Sequence, residues 1–283
     1  MKILVTGATG FVGNHVIEYL LDKKHNVIAT ARNVEKIEHF EWFPSVQYLP
    51  FDINSAYDKS ALFDYFGQPD KLIHLAWEGL PNFNSPIHIE SNLMNQYRFL
   101  KSYLDAGGKH LLVTGTCFEY GLQDGCLSED VLPNPITAYG IAKDSLRKFL
   151  QLLHSQQNPF IFQWVRLFYM YGQGQQATSI IPQLEAAIER KDAVFNMSGG
   201  EQTRDYLPVS KVAEYICRIA LQEDITGVIN CCSNEPLSVK RLVEDYIKLH
   251  SASIQINLGH YPYTKYEPMH FWGDNTRLKS IKR

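Results

Sequence analysis

The sequence predicts an α/β fold: a doubly wound parallel sheet with helices on both faces and a smaller C-terminal lobe. Three observations carry the prediction. Between residues 2 and 167, short β-branched runs alternate with longer segments whose apolar residues recur at helical spacing. The first run passes straight into a glycine-rich turn that opens a helix. After about residue 172 the pattern loosens and Pro and Gly punctuate shorter pieces, as expected of a lobe covering the C-terminal edge of the sheet. Residues 1–172 are read as the sheet domain. Residues 173–283 are read as mainly the covering lobe, with some segments returning to the sheet domain.

In chain order, Lys2-Ile3-Leu4-Val5-Thr6 reads as a buried strand. Over 11–21, Val12, Val16, Tyr19 and Leu20 share one helical face. Strands are expected at 26–31, 46–51 and 72–76. A long helix is expected over 87–106, stopped by Gly107-Gly108. A fifth strand at 110–114, a helix over 137–153 and a sixth strand at 160–167 complete the alternation. Parallel neighbours need such crossovers, which is why alternation implies a parallel sheet. In the lobe, 180–190, 209–220 and 239–249 read as helices, and 193–197, 228–231 and 254–258 as short strands.

Composition excludes several classes. The chain has 283 residues, 45% of them apolar and 20% charged, with a formal net charge of −3. Lys and Arg are scattered, so no basic field suits nucleic acid or a membrane surface. No run approaches the ~18 to 20 apolar residues that span a bilayer. The opening apolar run is too short for a signal-peptide core. Cys117, Cys126, Cys217, Cys231 and Cys232 are odd in number and form no Cys-x-x-Cys pair. They read as reduced thiols, and a cytoplasmic location is expected. No His/Cys cluster has metal-ligand spacing, so no metal is expected.

Gly7-Ala8-Thr9-Gly10-Phe11-Val12-Gly13 stands between the first strand and the first helix. Glycine at 7 permits a tight turn, at 10 a close backbone approach to a pyrophosphate, and at 13 close helix–strand packing. The helix N-terminus offers unpaired N–H groups to the phosphates. The sheet is therefore a Rossmann-type one, with Gly7, Thr9, Gly10, Phe11, Val12 and Gly13 against a dinucleotide. Asp52, beside Ile53 after the third strand, is placed to accept a hydrogen bond from the adenine amino group; its alternative is a solvated loop or capping aspartate. Thr30-Ala31-Arg32-Asn33, at the end of the second strand, has no carboxylate for a ribose 2′-hydroxyl. Arg32 suits a 2′-phosphate, or simply faces water. NADP is thus favoured over NAD.

Tyr139 and Lys143 are four apart and share a helix face. A phenol titrates near pH 10, too high for easy proton exchange at neutrality. A nearby ammonium and a positive nicotinamide lower that value, and a drop of ~2 to 3 pH units needs roughly 3 to 4 kcal/mol. Tyr139 then exchanges a proton with a carbonyl as hydride moves. Lys143 also holds the nicotinamide ribose. Thr116, just beyond the fifth strand, positions the substrate oxygen.

Taken together, these residues resemble the extended short-chain dehydrogenase/reductase family, in its sugar-nucleotide epimerase/dehydratase branch, over nearly the whole chain. The resemblance implies that Leu75 and Ala76, after the fourth strand, line the cofactor and that Asn92 helps organise the site. It makes Thr116, Tyr139 and Lys143 the catalytic triad, and places Cys117, Phe118, Tyr169 and Arg204 against a nucleotide sugar. Arg204, in Gln202-Thr203-Arg204-Asp205-Tyr206, matches an arginine that grips the diphosphate; a structural salt bridge is its alternative. Members that carry out 4,6-dehydration have an Asp-Glu pair after the catalytic threonine. Cys117-Phe118 stands there instead, which disfavours elimination. Tyr169 replaces a common asparagine. The family also implies a possible homodimer through the helices of Asn92 and Tyr139. The leading expectation is NAD(P)H-dependent reduction of the 4-keto group of a nucleotide-linked 4-keto-6-deoxyhexose. A nucleotide-sugar 4-epimerase is the alternative. Another small-carbonyl or alcohol oxidoreductase of the same fold is a further possibility, and a non-catalytic dinucleotide sensor a minor one.

Overall fold

The computed structural model describes residues 1–32, 34–156 and 160–282; Asn33, at the end of the second-strand motif, lies outside them. In chain order the elements are β1 Lys2–Thr6, α1 Phe11–Asp22, β2 Asn26–Thr30, α2 Val34–Ile37, β3 Gln47–Tyr48, α3 Leu62–Tyr65 and β4 Lys71–His74. There follow α4 Leu93–Asp105, β5 His110–Thr116, β6 Gly125–Leu127, α5 Ala138–Gln156, β7 Ile161–Leu167, β8 Tyr169–Tyr171, α6 Ile180–Glu189 and β9 Val194–Asn196. The remainder is β10 Thr203–Pro208, α7 Val209–Ala220, β11 Gly227–Cys231, β12 Pro236–Ser238, α8 Val239–Leu249, β13 Gln255–Asn257, β14 Phe271–Gly273 and α9 Thr276–Lys279.

Seven parallel strands form the main sheet in the order β11-β7-β5-β4-β1-β2-β3. The winding reverses between β1 and β4, and a crevice opens outside their carboxyl ends. Strand alternation divides the core. Ile3 and Val5 of β1 face one apolar layer with Ile17, Leu20, Val212 and Ile216. Leu4 faces the other, with Phe99, Leu100, Leu146 and Leu150. α1 and α7 thus cover one face of the sheet, and α4 and α5 the other.

Three elements differ from the sequence reading. The strand expected at 46–51 shrinks to Gln47–Tyr48. Leu49 and Phe51 still donate to the carbonyls of Ala29 and Ala31, but Pro50 between them has no N–H, and the ladder loses regularity at this edge. The helix expected over 87–106 begins with a π-helical turn, His88–Asn92, whose wider winding turns Asn92 inward. The run read as a short lobe strand at 228–231 is the seventh strand of the main sheet, paired with β7. It arrives there through α7, whose apolar face packs on α1.

The rest of the C-terminal half has its own apolar cluster, in which Leu184 and Ala187 of α6 meet Phe195, Met197, Val239 and Val243. No helix among the described residues is long and apolar enough to cross a membrane. All five cysteines are free, and only Cys126 is exposed.

Candidate active site

The glycine turn is wound so tightly that side chains do not fit. Gly7 has φ +70°, and a Cβ on it would lie 2.8 Å from the Ala76 nitrogen. A Cβ on Gly13 would lie 2.2 Å from the Gly7 carbonyl oxygen. α1 starts at Gly10 with no side-chain cap and no acidic residue in its first turn. Its leading N–H groups therefore keep their partial positive charge for an anion.

Two cavities meet over this turn. One, of about 280 Å³, is lined by Gly7, Thr9 and Gly10, by Arg32, by Asp52 and Ile53, and by Leu75 and Ala76. The other, of about 460 Å³, is lined by Phe11, Val12 and Gly13 on one side and by Thr116, Cys117, Phe118, Tyr139, Lys143 and Tyr169 on the other. Gly7, Gly10, Leu75 and Trp77 belong to both, so a long ligand can lie across the junction. Asn92 and Arg204 line neither.

In the first cavity, Asp52 accepts from the Asn54 backbone N–H at 3.0 Å and from the Ser55 hydroxyl at 3.2 Å, a loop-capping role that leaves its carboxylate at the cavity wall. Arg32 forms an ion pair with Glu78, a residue the sequence reading passed over. Asn54 also donates to Glu78, at 2.9 Å. Glu78 directly continues the run after β4, and that position was the available signal.

In the second cavity, Tyr139 sits in the first turn of α5, which is held on both sides. Its backbone N–H donates to the Phe83 carbonyl at 2.9 Å, and the Gly140 N–H donates to the Thr137 hydroxyl at 3.1 Å. Lys143 comes one turn later, almost fully buried. Its ammonium donates to the Thr114 carbonyl at 2.9 Å and lies 4.0 Å from the centre of the Trp77 ring. Thr116 ends β5; its hydroxyl accepts from the Phe118 N–H at 3.3 Å and lines the same cavity as Tyr139.

The electrostatics depart from the sequence reading. Burial pushes the Tyr139 phenol up, and the hydrogen bond from Thr116 only partly offsets it. The expected lowering by Lys143 does not appear, because the ammonium is turned to Thr114 and stands 5.9 Å from the phenol ring centre. Burial pulls Lys143 down to about 7, against the opposing pull of the Glu119 carboxylate. A depressed lysine binds its proton more weakly folded than unfolded, so its contribution to stability grows as pH rises from about 7 toward its ordinary 10.5 and is lost as pH falls back. The buried thiols act oppositely, but only above their ordinary value of 9.0. Between pH 7 and 9, Lys143 should therefore add up to about 1.4 kcal/mol of unfolding free energy per pH unit. Urea denaturation of Lys143→Met at both pH values should show that slope removed; an unchanged slope would contradict the assignment.

Glu119 is a functional neighbour that sequence reasoning missed. It is fully buried in the short turn Cys117–Tyr120. It accepts from the Thr116 N–H and the Trp164 indole, both at 2.9 Å, and from Arg166 at 2.8 Å. Arg147 lies 3.7 Å away and also pairs with Asp144. The Thr116-x-x-Glu119 spacing is that of a capping box, and both of its bonds are present.

Two residues carried by resemblance have other partners here. Asn92 is buried and donates to the Glu78 carbonyl at 3.0 Å, so it shapes the loop after β4. Arg204 is 2% exposed and pairs with Glu267 at 2.8 Å. It also donates to the Thr203 and Met269 carbonyls. The guanidinium lies between the rings of Tyr169 and Phe271.

A model of the NAD dependent epimerase/dehydratase family matches residues 3–232. The chain belongs to this family. It is an enzyme of the extended short-chain dehydrogenase/reductase type. Among curated relatives, dTDP-6-deoxy-L-talose 4-dehydrogenase (NAD(+)) of Aggregatibacter actinomycetemcomitans is 30% identical over 96% of this chain and 99% of its own. GDP-6-deoxy-D-talose 4-dehydrogenase of the same organism is 26% identical over 91% and 83%. Among solved structures, MoeE5 in complex with UDP-glucuronic acid and NAD superposes with a TM-score of 0.83 at 25% identity, over 99% of this chain and 92% of that one. The family is NAD-dependent, and the residues here fit the cofactor: the glycine turn leaves no room for a Cβ, and an uncapped helix end faces the junction of the cavities.

Proposed function

We propose that this enzyme reduces the 4-keto group of a nucleotide-linked 4-keto-6-deoxyhexose, and oxidises the corresponding alcohol in reverse. The observation that carries the reading is the Thr116–Tyr139 pair, buried at the inner wall of a cavity continuous with the glycine cradle. Both curated relatives described above are 4-dehydrogenases of nucleotide-linked 6-deoxytalose. When bound, the cofactor supplies or takes the hydride. Tyr139 gives its proton to O4 during reduction, while Thr116 holds that oxygen in place. Lys143 stands one turn behind, on the wall of the same cavity, where it would hold the cofactor's ribose. Elimination lacks a free acid: burial pushes the Cys117 thiol up, Phe118 carries no proton, and Glu119 is held by Arg166 and Trp164.

The cofactor reading moves toward NAD. Glu78 neutralises Arg32 and adds a carboxylate where a 2′-phosphate would stand, which weighs against the NADP expectation. Glu78→Gln should shift the ratio of kcat/KM for NADH over NADPH toward NADPH by roughly tenfold, equivalent to about 1.4 kcal/mol. Steady-state rates with both cofactors measure it, and an unchanged ratio argues that Arg32 faces solvent only.

The same observation keeps a 4-epimerase as the second reading, because a carboxylate beside the ribose suits a tightly held NAD. Incubation of nucleotide-linked 4-keto-6-deoxyhexoses with reduced cofactor, followed by mass spectrometry, separates the two. Reduction consumes one equivalent of cofactor per sugar. Epimerisation interconverts alcohols with no net consumption.

A further inference from the structure

The reaction as derived uses Thr116, Tyr139 and Lys143 and leaves one wall of the cavity unexplained. That wall is aromatic. Phe83 and Phe118 stack with centroids 4.5 Å apart and planes 26° apart. Tyr266, which does not line the cavity, packs on both, at 6.1 Å from Phe83 and 6.3 Å from Phe118. The Tyr139 ring lies against the same pair, at 5.8 and 6.2 Å.

The three rings come from separate parts of the chain. Phe83 lies in the loop after β4, whose backbone is pinned to α5 through the Tyr139 N–H. Phe118 lies in the turn after β5, and Tyr266 precedes β14. The nearby loop residues Leu80 and Pro81 extend the apolar surface into the cavity.

We infer that Phe83 and Phe118, backed by Tyr266, read the C6 substituent of the sugar and select a methyl group. The inference rests on the proposed function, and the chemistry of the ring gives it direction. C6 hangs on C5, the direct neighbour of C4. Once O4 is held between Thr116 and Tyr139, the C3 hydroxyl and the C6 group flank it, and the apolar wall beside the Tyr139 ring suits the C6 group. A methyl group there gains apolar contact. A hydroxymethyl group loses water and finds only ring carbons, and a carboxylate loses far more. An apolar pocket rejects an added hydroxyl by no more than about a hundredfold, so a preference of roughly 10- to 100-fold is expected.

The test runs the reaction in the oxidative direction with NAD⁺ on three stable nucleotide sugars. They share base and ring configuration and differ at C6: methyl, hydroxymethyl and carboxylate. Wild type should favour methyl over hydroxymethyl by roughly 10- to 100-fold in kcat/KM and turn over the carboxylate least. Phe118→Asn and Phe83→Asn should each shrink the methyl preference by about tenfold, whereas Phe118→Leu should keep it. NADH binding to each variant reports that its fold is intact, and Tyr266→Ser supplies a third probe nearer the surface. Equal rates on all three sugars in wild type overturn the inference while leaving the 4-dehydrogenase reading standing. So does an unchanged ratio in every folded variant. Absence of turnover on all three sugars sinks the functional reading and this inference with it.

Discussion

Replacing Tyr139 with Phe is expected to lower kcat by about 10²- to 10⁴-fold and to leave cofactor affinity close to that of the wild type. The ring is one wall of a packed aromatic group with Phe83, Phe118, Trp77 and His88, and phenylalanine preserves those contacts. Only the hydroxyl goes, and with it the proton donor and the partner of Thr116. Pre-steady-state reduction with saturating NADH measures the loss, and fluorescence titration measures binding. A variant with near wild-type turnover would remove Tyr139 from the chemistry. A variant that fails to bind NADH would show that the hydroxyl serves cofactor binding rather than proton transfer.

Replacing Glu119 with Ala should destabilise the enzyme by about 3 to 5 kcal/mol, the usual cost of breaking a buried ion pair by removing one partner. In a chain of this size that lowers Tm by roughly 5 to 8 °C. The carboxylate is fully buried and holds Arg166, the Trp164 indole and the Thr116 backbone at once. Its loss leaves the Arg166 guanidinium uncompensated in the core. The change also reaches the site. Glu119 raises both Lys143 and Tyr139, so without it Lys143 drops further below about 7 and the phenol comes down. Glu119→Gln keeps the shape and part of the hydrogen bonding, and should fall between wild type and Glu119→Ala. Urea and thermal denaturation at one pH check the order; equal stability of all three proteins would contradict it.

Much of the fold was legible because its signals are local. Ile3, Leu4 and Val5 alternate between the two core layers, and runs like this betray each buried strand. The glycine turn and the Tyr139–Lys143 spacing are also written within a few neighbouring residues. What escaped the sequence is carried by distant pairs. Arg32 and Glu78 meet across the crevice between β2 and β4. Arg204 finds Glu267 from 63 residues away, and Phe83 meets Tyr266 only after the C-terminal segment folds over the site. The seventh strand looked like part of the lobe because adjacency in space, not spacing in sequence, decides which sheet it joins.

The most direct measurement of the central claim is the fate of a deuterium label. A nucleotide-linked 4-keto-6-deoxyhexose is incubated with NADH deuterated at C4 of the nicotinamide on the transferred face. The account predicts an alcohol with one deuterium at sugar C4, formed in step with one equivalent of oxidised cofactor and blocked in Tyr139→Phe. Unlabelled product, or an alcohol whose C4 configuration interconverts while the cofactor pool stays unchanged, would contradict it.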